Sequence, residues 1–186
     1  MLLKLILIDY SITNFIFNFP HNLVLNSFFG FFSIKGMSFL IWLGIFLYLV
    51  FIEEKKHKEF IIFFFTSLLI SSLLANMVIK NIIKRPRPFY QVQSYKIPNY
   101  ELRITNYPSD FSFPSGHATT SFAAATILAY FDKKRKKLFY LIATLIAFSR
   151  VYLGYHYFFD VIGGAILGLL ISKLILRLKS NLKLSN

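Results

Sequence analysis

The sequence predicts an all-α integral membrane bundle of five to six transmembrane helices with an amphipathic N-terminal segment, and three observations lead there. Hydrophobic residues fill 56% of the 186 positions, with 23 Phe, and the mean hydropathy is +0.58, too apolar for a soluble domain of this length. The apolar residues gather into separate runs, each near or a little below the roughly 20 residues that cross a hydrocarbon core. Lys and Arg, which give a formal charge of +13, fall in short segments between those runs. They form no stripe on a soluble face, so anionic lipid or a phosphorylated substrate suits them and nucleic acid does not. With no cysteine in the chain, disulfide frameworks, thiolate zinc sites and thiol nucleophiles are excluded.

The chain reads as one membrane domain over residues 1–186. Residues 1–33 are apolar but interrupted by Asp9, Pro20 and His21, and Asn14, Asn18, Asn22 and Asn26 recur at every fourth position. A helix lying in the membrane interface and broken near Pro20 explains that polar stripe better than a full span does; a first span over residues 1–19 is the alternative. The opening ten residues carry no small-residue cleavage pattern, so a removed signal peptide is not expected.

Clearer apolar runs follow at about Ile34 to Ile52, Phe60 to Ile79, Ser115 to Phe131, Leu138 to Tyr152 and Asp160 to Leu176. The second contains no charge and is the most secure span. Basic residues Lys55, Lys56 and Lys58, then Lys133 to Lys137, then Arg177, Lys179 and Lys183 fall on one side of a five-span chain. The positive-inside rule makes that side cytoplasmic. The other, extracytoplasmic side holds the 84–113 loop, where Pro86, Pro88, Pro98 and Pro108, with Pro114 just beyond, forbid a continuing helix. A loop of that length is a lid or a binding loop when it is ordered. This side also carries Lys80, Lys84, Arg85, Arg87, Lys96 and Arg103, against the rule, and an anionic substrate supplies a reason.

Three stretches on that side carry chemistry. Where the second span ends, Lys80 and Arg87 offer a point charge and a planar fork to one phosphoryl group; snorkelling at a helix end is the simpler use of such residues. Pro114, Ser115, Gly116 and His117 open a helix whose free amides form an anion site, with Gly116 admitting a ligand close to the backbone. Arg150, His156 and Asp160 intrude on apolar sequence, where ionisable groups are costly and by default functional. His156 and Asp160 stand four apart, so on a helix they share a face; a structural pair pinning two helices is the competing reading. The residues alone give an anion site with three cations, two histidines and an Asp partner, and they do not decide which histidine attacks.

These stretches resemble the three signature motifs of the type 2 phosphatidic acid phosphatase superfamily. Lys80, Arg87 and Pro88 match the first, Pro114 to His117 the second, and Ser149, Arg150, His156 and Asp160 the third. The resemblance implies a membrane lipid phosphate phosphatase in which His156 is the nucleophile and forms a phosphohistidine, Asp160 fixes its tautomer, and His117 protonates the leaving oxygen and then activates water. It further implies that Lys80, Arg87 and Arg150, with the amides near Ser115 and Gly116, hold the phosphate oxygens. The three cations then do the work of metal ions, so no metal or other cofactor is expected. Compact bacterial members of the superfamily recycle undecaprenyl diphosphate, which makes that lipid the favoured substrate, ahead of phosphatidylglycerol phosphate, phosphatidic acid and lipid A phosphates. The apolar residues around Phe89, Tyr90, Tyr157 and Phe158 would admit the lipid chain laterally. A non-hydrolytic headgroup binder or transporter and a vanadate haloperoxidase are the rival classes; two histidines are superfluous for the first, and a membrane-spanning chain is unsuited to the second.

Overall fold

A computed structural model describes residues 2–34, 36–54, 58–88 and 109–182, and among them the chain is helical with no strand. Helix α1 spans Leu2–Phe17, α2 Leu23–Ser33 and α3 Met37–Phe51. Next comes a long rod made of α4 (Lys58–Leu73), a π-helical segment (Leu74–Ile79) and α5 (Lys80–Ile83). Helices α6 (Gly116–Phe131), α7 (Lys136–Tyr152) and α8 (Phe158–Leu182) complete the bundle. The apolar runs read from the sequence therefore coincide with helices. By length and composition two of them, Lys58–Ile83 and Phe158–Leu178, are able to cross a membrane, and α2 with α3, which meet at 73°, would make a third. Helices α6 and α7 have 16 and 17 residues, short of the roughly 20 that a straight span needs, so length alone supports two to three spans and not the five to six expected.

Helix α6 is the centre. Its Ala123, Ala124, Ala125, Ile127 and Leu128 are fully buried, as expected for a helix that is apolar on every side. Small residues let α8 approach it closely: a Cβ at Gly168 would overlap the Thr119 carbonyl oxygen, and one at Gly164 would stand 2.6 Å from that of Ser115. Around this contact, Trp42, Phe46, Phe60, Phe64 and Phe139 fill the core. Phe46 stacks on Phe64 with ring centres 4.5 Å apart, and the Trp42 indole donates to Ser121 Oγ at 3.0 Å. A second polar tie joins Ser67 and Ser172 at 2.7 Å.

One end of the bundle is held by charge. Arg135 donates to Glu53 at 2.5 Å and to Asp132 at 2.6 Å, joining the α3 terminus to the α6–α7 turn. This sets the basic α6–α7 turn against the residue that leads into the 55–58 basic segment; Lys55, Lys56 and Lys183 lie outside the described residues. The opposite end receives the end of α5, the start of α6, the α7–α8 turn and α1.

The N-terminal segment departs from the expected amphipathic stripe. On α1 the polar Asp9 and Thr13 are buried, 1% and 5% exposed, while Leu3, Ile6, Leu7 and Phe15 are more than half exposed. Apolar side chains turned outward and polar ones inward suit a lipid surrounding better than a water interface. The Asn series does not share one face, because the chain breaks between Phe17 and Leu23: Asn22 caps α2 by accepting from the Leu25 amide at 2.9 Å, and Asn26 accepts from the Tyr152 hydroxyl at 2.8 Å. Helix α1 lies against the site end of the bundle, since Asp9, Thr13 and Ile16 meet residues at the α5, α7 and α8 termini.

Candidate active site

The π-helical segment ahead of Lys80 adds a residue to the turn and changes the face on which the rod ends; such insertions concentrate at functional sites. It delivers Lys80 inward, 4% exposed. The rod stops after Ile83, where Lys84 enters the left-handed region at φ 51 and Pro86 cannot continue the helix. The chain then brings Arg87, 3% exposed, beside Lys80. Both cations engage Asp110: Lys80 Nζ donates to Oδ2, and Arg87 donates to Oδ1 at 2.5 Å and, through Nε, to the Asp110 carbonyl at 2.8 Å. Burial opposes ionisation of Asp110, but the hydrogen bond from Lys80 and the charges of Arg87 and Lys80 outweigh it and hold the carboxyl below its usual range.

The α7–α8 turn places the second histidine. Gly154 takes φ +72, a conformation that costs glycine little. The reversal folds the Tyr155 and His156 amides onto the Arg150 carbonyl at 2.9 and 3.1 Å. Arg150 itself donates to Ser33 Oγ at 2.7 Å, and its guanidinium lies 4.2 Å from the Tyr155 ring centre. His156 is 2% exposed. Its Nε2 lies 3.2 Å from Arg87 Nη1, and because a guanidinium only donates, Nε2 is the accepting nitrogen and Nδ1 carries the proton. Burial, then the charges of Arg87, Arg150 and Lys80, push the imidazole well below its usual pKa. Both effects favour the neutral ring, whose Nε2 lone pair faces Arg87.

Asp160 does not meet His156 as the helical spacing suggests. His156 sits in the turn before α8, and its Nδ1 is 3.7 Å from Asp160 Oδ2, too far for a hydrogen bond. Ser112 stands between them: its Oγ is 3.4 Å from Nδ1 and donates a short hydrogen bond to Oδ2. The carboxylate also accepts from the Tyr157 amide at 2.8 Å and from Arg85 Nη1 at 2.7 Å. Arg85, read from the sequence as one more cation for an anionic ligand, is thus committed to carboxylates; its second arm reaches Asp9 at 2.6 Å.

At the start of α6, Ser115 occupies the N-cap position, but its side chain makes no cap hydrogen bond. Its amide donates to the Asp160 carbonyl at 3.0 Å, so this amide does not serve an anion as expected. The hydroxyl is fully buried and has no hydrogen-bond partner among the described residues. Gly116 packs against the Asn76 carboxamide, whose oxygen would stand 2.5 Å from an added Cβ.

A cavity of about 760 Å³ gathers these groups. Lys80, Arg87, Arg150, Gly116, His117 and His156 line its polar end together with Asp110. Phe39, Trp42, Phe65, Leu68 and Leu69 line the remainder. Three cations, two imidazoles and an apolar wall in one concavity suit an anionic headgroup carrying a hydrocarbon chain. The three sequence stretches therefore converge. Ser115 and Asp160 stand behind the cavity surface, and Phe89 and Tyr90 lie outside the described residues, as does most of the 84–113 loop.

Asp9, Asp110 and Ser112 are not singled out by sequence reasoning as site residues. A lone carboxylate in an apolar run is a functional signal in itself, and it applies to Asp9. Nothing local distinguishes Asp110 or Ser112 from other polar loop residues.

Residues 59–183 match the model of the PAP2 superfamily. The chain is 38% identical over 109 residues to phosphatidylglycerophosphatase B of Bacillus subtilis, an alignment covering 53% of this chain and 48% of that one. It is 37% identical over 110 residues to an undecaprenyl-diphosphatase of Sulfolobus acidocaldarius, covering 59% and 50%. The chain thus spans about half the length of these curated relatives. Among solved structures, the first transmembrane PAP2 type phosphatidylglycerolphosphate phosphatase from Bacillus subtilis superposes with a TM-score of 0.64 at 27% identity, over 98% of this chain and 90% of that one.

Proposed function

The chain belongs to the PAP2 superfamily, and from that membership we propose that it is a lipid phosphate phosphatase acting through a phosphohistidine. The observation that carries this reading is the single cavity holding Lys80, Arg87, Arg150, His117 and His156 at the end of an apolar wall. In the first step the His156 Nε2 lone pair forms a bond to phosphorus, the bond to the leaving oxygen breaks, and His117 gives that oxygen a proton. In the second, His117 takes a proton from water, whose oxygen attacks phosphorus and expels His156. Lys80, Arg87 and Arg150, which line the cavity, stabilise charge on the non-bridging oxygens. With three side-chain cations in place, the reaction proceeds in the presence of a chelator.

Undecaprenyl diphosphate is the proposed substrate, supported by the undecaprenyl-diphosphatase relative and by the apolar wall. Phosphatidylglycerol phosphate is the second reading, supported by the relative from Bacillus subtilis. The catalytic end is proposed to face the extracytoplasmic side of the cell membrane, because the basic α6–α7 turn and the α3 terminus gather at the opposite end and positive loops stay in the cytoplasm. Phosphate release by the purified protein from both lipids, from phosphatidic acid and from lipid A, with chelator present, tests the assignment. Release from undecaprenyl diphosphate at the highest kcat/KM supports it; release from none of the four sinks the phosphatase reading and leaves a headgroup binder.

A further inference from the structure

We infer that Asp9, on the N-terminal helix, is a positioning residue for the reaction and acts through Arg85 on Asp160. The inference rests on the phosphatase reading for its kinetic test, and its geometry stands apart from it.

Asp9 is 1% exposed, although its chain neighbours Ile8 and Tyr10 are 48% and 45% exposed. Each carboxylate oxygen has its own task. Oδ2 accepts from Arg85 Nη2 at 2.6 Å, and Oδ1 accepts from the Phe159 amide at 2.8 Å. Thr13, one turn along α1, accepts from the Phe158 amide at 2.9 Å and donates to the Asp9 carbonyl at 2.7 Å. The first amides of α8, which the helix itself leaves unsatisfied, are therefore capped from another helix.

The link to the chemistry runs through Arg85. Its Nη1 donates to Asp160 Oδ1 at 2.7 Å, its guanidinium packs 4.0 Å from the Tyr157 ring centre, and its carbonyl accepts from the Ser112 amide at 2.8 Å. Arg85 thus fixes both members of the pair that faces His156 Nδ1. A guanidinium held by one carboxylate is free to rotate about its stem; held by two, with a ring beneath it, it has one orientation. Asp9 supplies the second carboxylate. Without its charge Arg85 leans wholly on Asp160, the Asp160 plane shifts, and the Nδ1-protonated form of His156 loses its support.

The experiment uses the full chain in detergent with Asp9→Asn, Arg85→Gln and the double variant. Asparagine keeps an oxygen for the Phe159 amide and removes the charge that holds Arg85. Thr13→Val controls for helix capping alone: its melting temperature falls while kcat per folded protein stays at the wild-type value. On whichever lipid the wild type turns over best, we expect Asp9→Asn to lower kcat about tenfold or more with KM within about twofold, and the double variant to lose no more than Arg85→Gln, as groups acting in one chain do. A wild-type kcat in Asp9→Asn, or losses that multiply in the double variant, overturns the inference. Imidazole ¹⁵N spectra read the same link without substrate: loss of the Nδ1-protonated form of His156 in Asp9→Asn upholds it, and an unchanged spectrum overturns it. A wild type that releases phosphate from no lipid sinks the phosphatase reading while these spectra still judge Asp9. Should Asp9→Asn fail to fold, Asp9→Glu, which moves the carboxylate by one methylene, is judged by the same two readouts.

Discussion

Asp160 faces His156 across 3.7 Å, a gap that no direct hydrogen bond closes, and the Ser112 hydroxyl occupies the corner between them. The orienting device is therefore a side-chain chain in which Nδ1 points at Ser112 and Ser112 donates to the carboxylate. Removing the hydroxyl as Ser112→Ala deprives a buried carboxylate of one donor and the imidazole of its neighbour. A lost donor to a buried charge costs roughly 1–3 kcal/mol, so kcat should fall about 10- to 100-fold with KM little changed. Steady-state kinetics check this, and a wild-type kcat would return the orienting role to Asp160 alone.

Asp110 bridges Lys80 and Arg87, two of the cations proposed to receive phosphate. An anionic ligand therefore competes with this internal carboxylate. Asp110→Asn keeps the shape and removes the charge, and inorganic phosphate or vanadate should inhibit the variant at concentrations severalfold lower than the wild type, on the order of 1 kcal/mol of relieved competition. Equal or weaker inhibition would mean that Asp110 serves to hold Arg87 in place.

The imidazole of His156 titrates below its usual value because of burial and then the charges of Arg87, Arg150 and Lys80. Only its neutral form has the lone pair that the proposed attack needs. Lowering the folded pKa keeps that form populated as pH falls, so the acid limb of kcat/KM should lie below the ordinary histidine value of about 6.5. Removing the Arg87 charge in Arg87→Gln lifts one of these effects and should move the limb toward higher pH. A limb that stays in place in that variant would assign it to another group.

Gly168 permits the closest approach of α8 to the central helix, with the Thr119 carbonyl oxygen filling the space that a Cβ would need. Gly168→Ala forces the helices apart and should cost about 1–3 kcal/mol, the usual penalty of overpacking a close contact. A thermal melt in detergent measures it, and no change in melting temperature would mean that α6 and α8 can separate at no cost.

Much of this architecture is legible in the amino-acid sequence. Apolar runs find the helices because burial and lipid contact both require them, and the ionisable residues in or beside those runs pick out Lys80, His117, Arg150 and His156, which line one cavity, because apolar surroundings tolerate such groups only for a reason. Spacing misleads where a turn intervenes. His156 and Asp160 look like helical neighbours, yet the Gly154 reversal places the histidine ahead of α8. The Asn series looks like one face, yet the break near Pro20 divides it between two helices. Ser112 and Asp110 are invisible for a different reason, since their partners lie far along the chain and loop sequence carries no period. Asp9 stands out as an interruption, but pairing with a residue 76 positions away leaves no local trace.

The central claim is that His156 carries the phosphoryl group and His117 moves the protons. Wild type, His156→Ala and His117→Ala are each mixed with phosphorus-labelled lipid substrate and quenched in alkali, which preserves phosphohistidine. Label should remain on His117→Ala and be absent from His156→Ala, with turnover nearly abolished in both. A labelled His156→Ala enzyme would contradict the account.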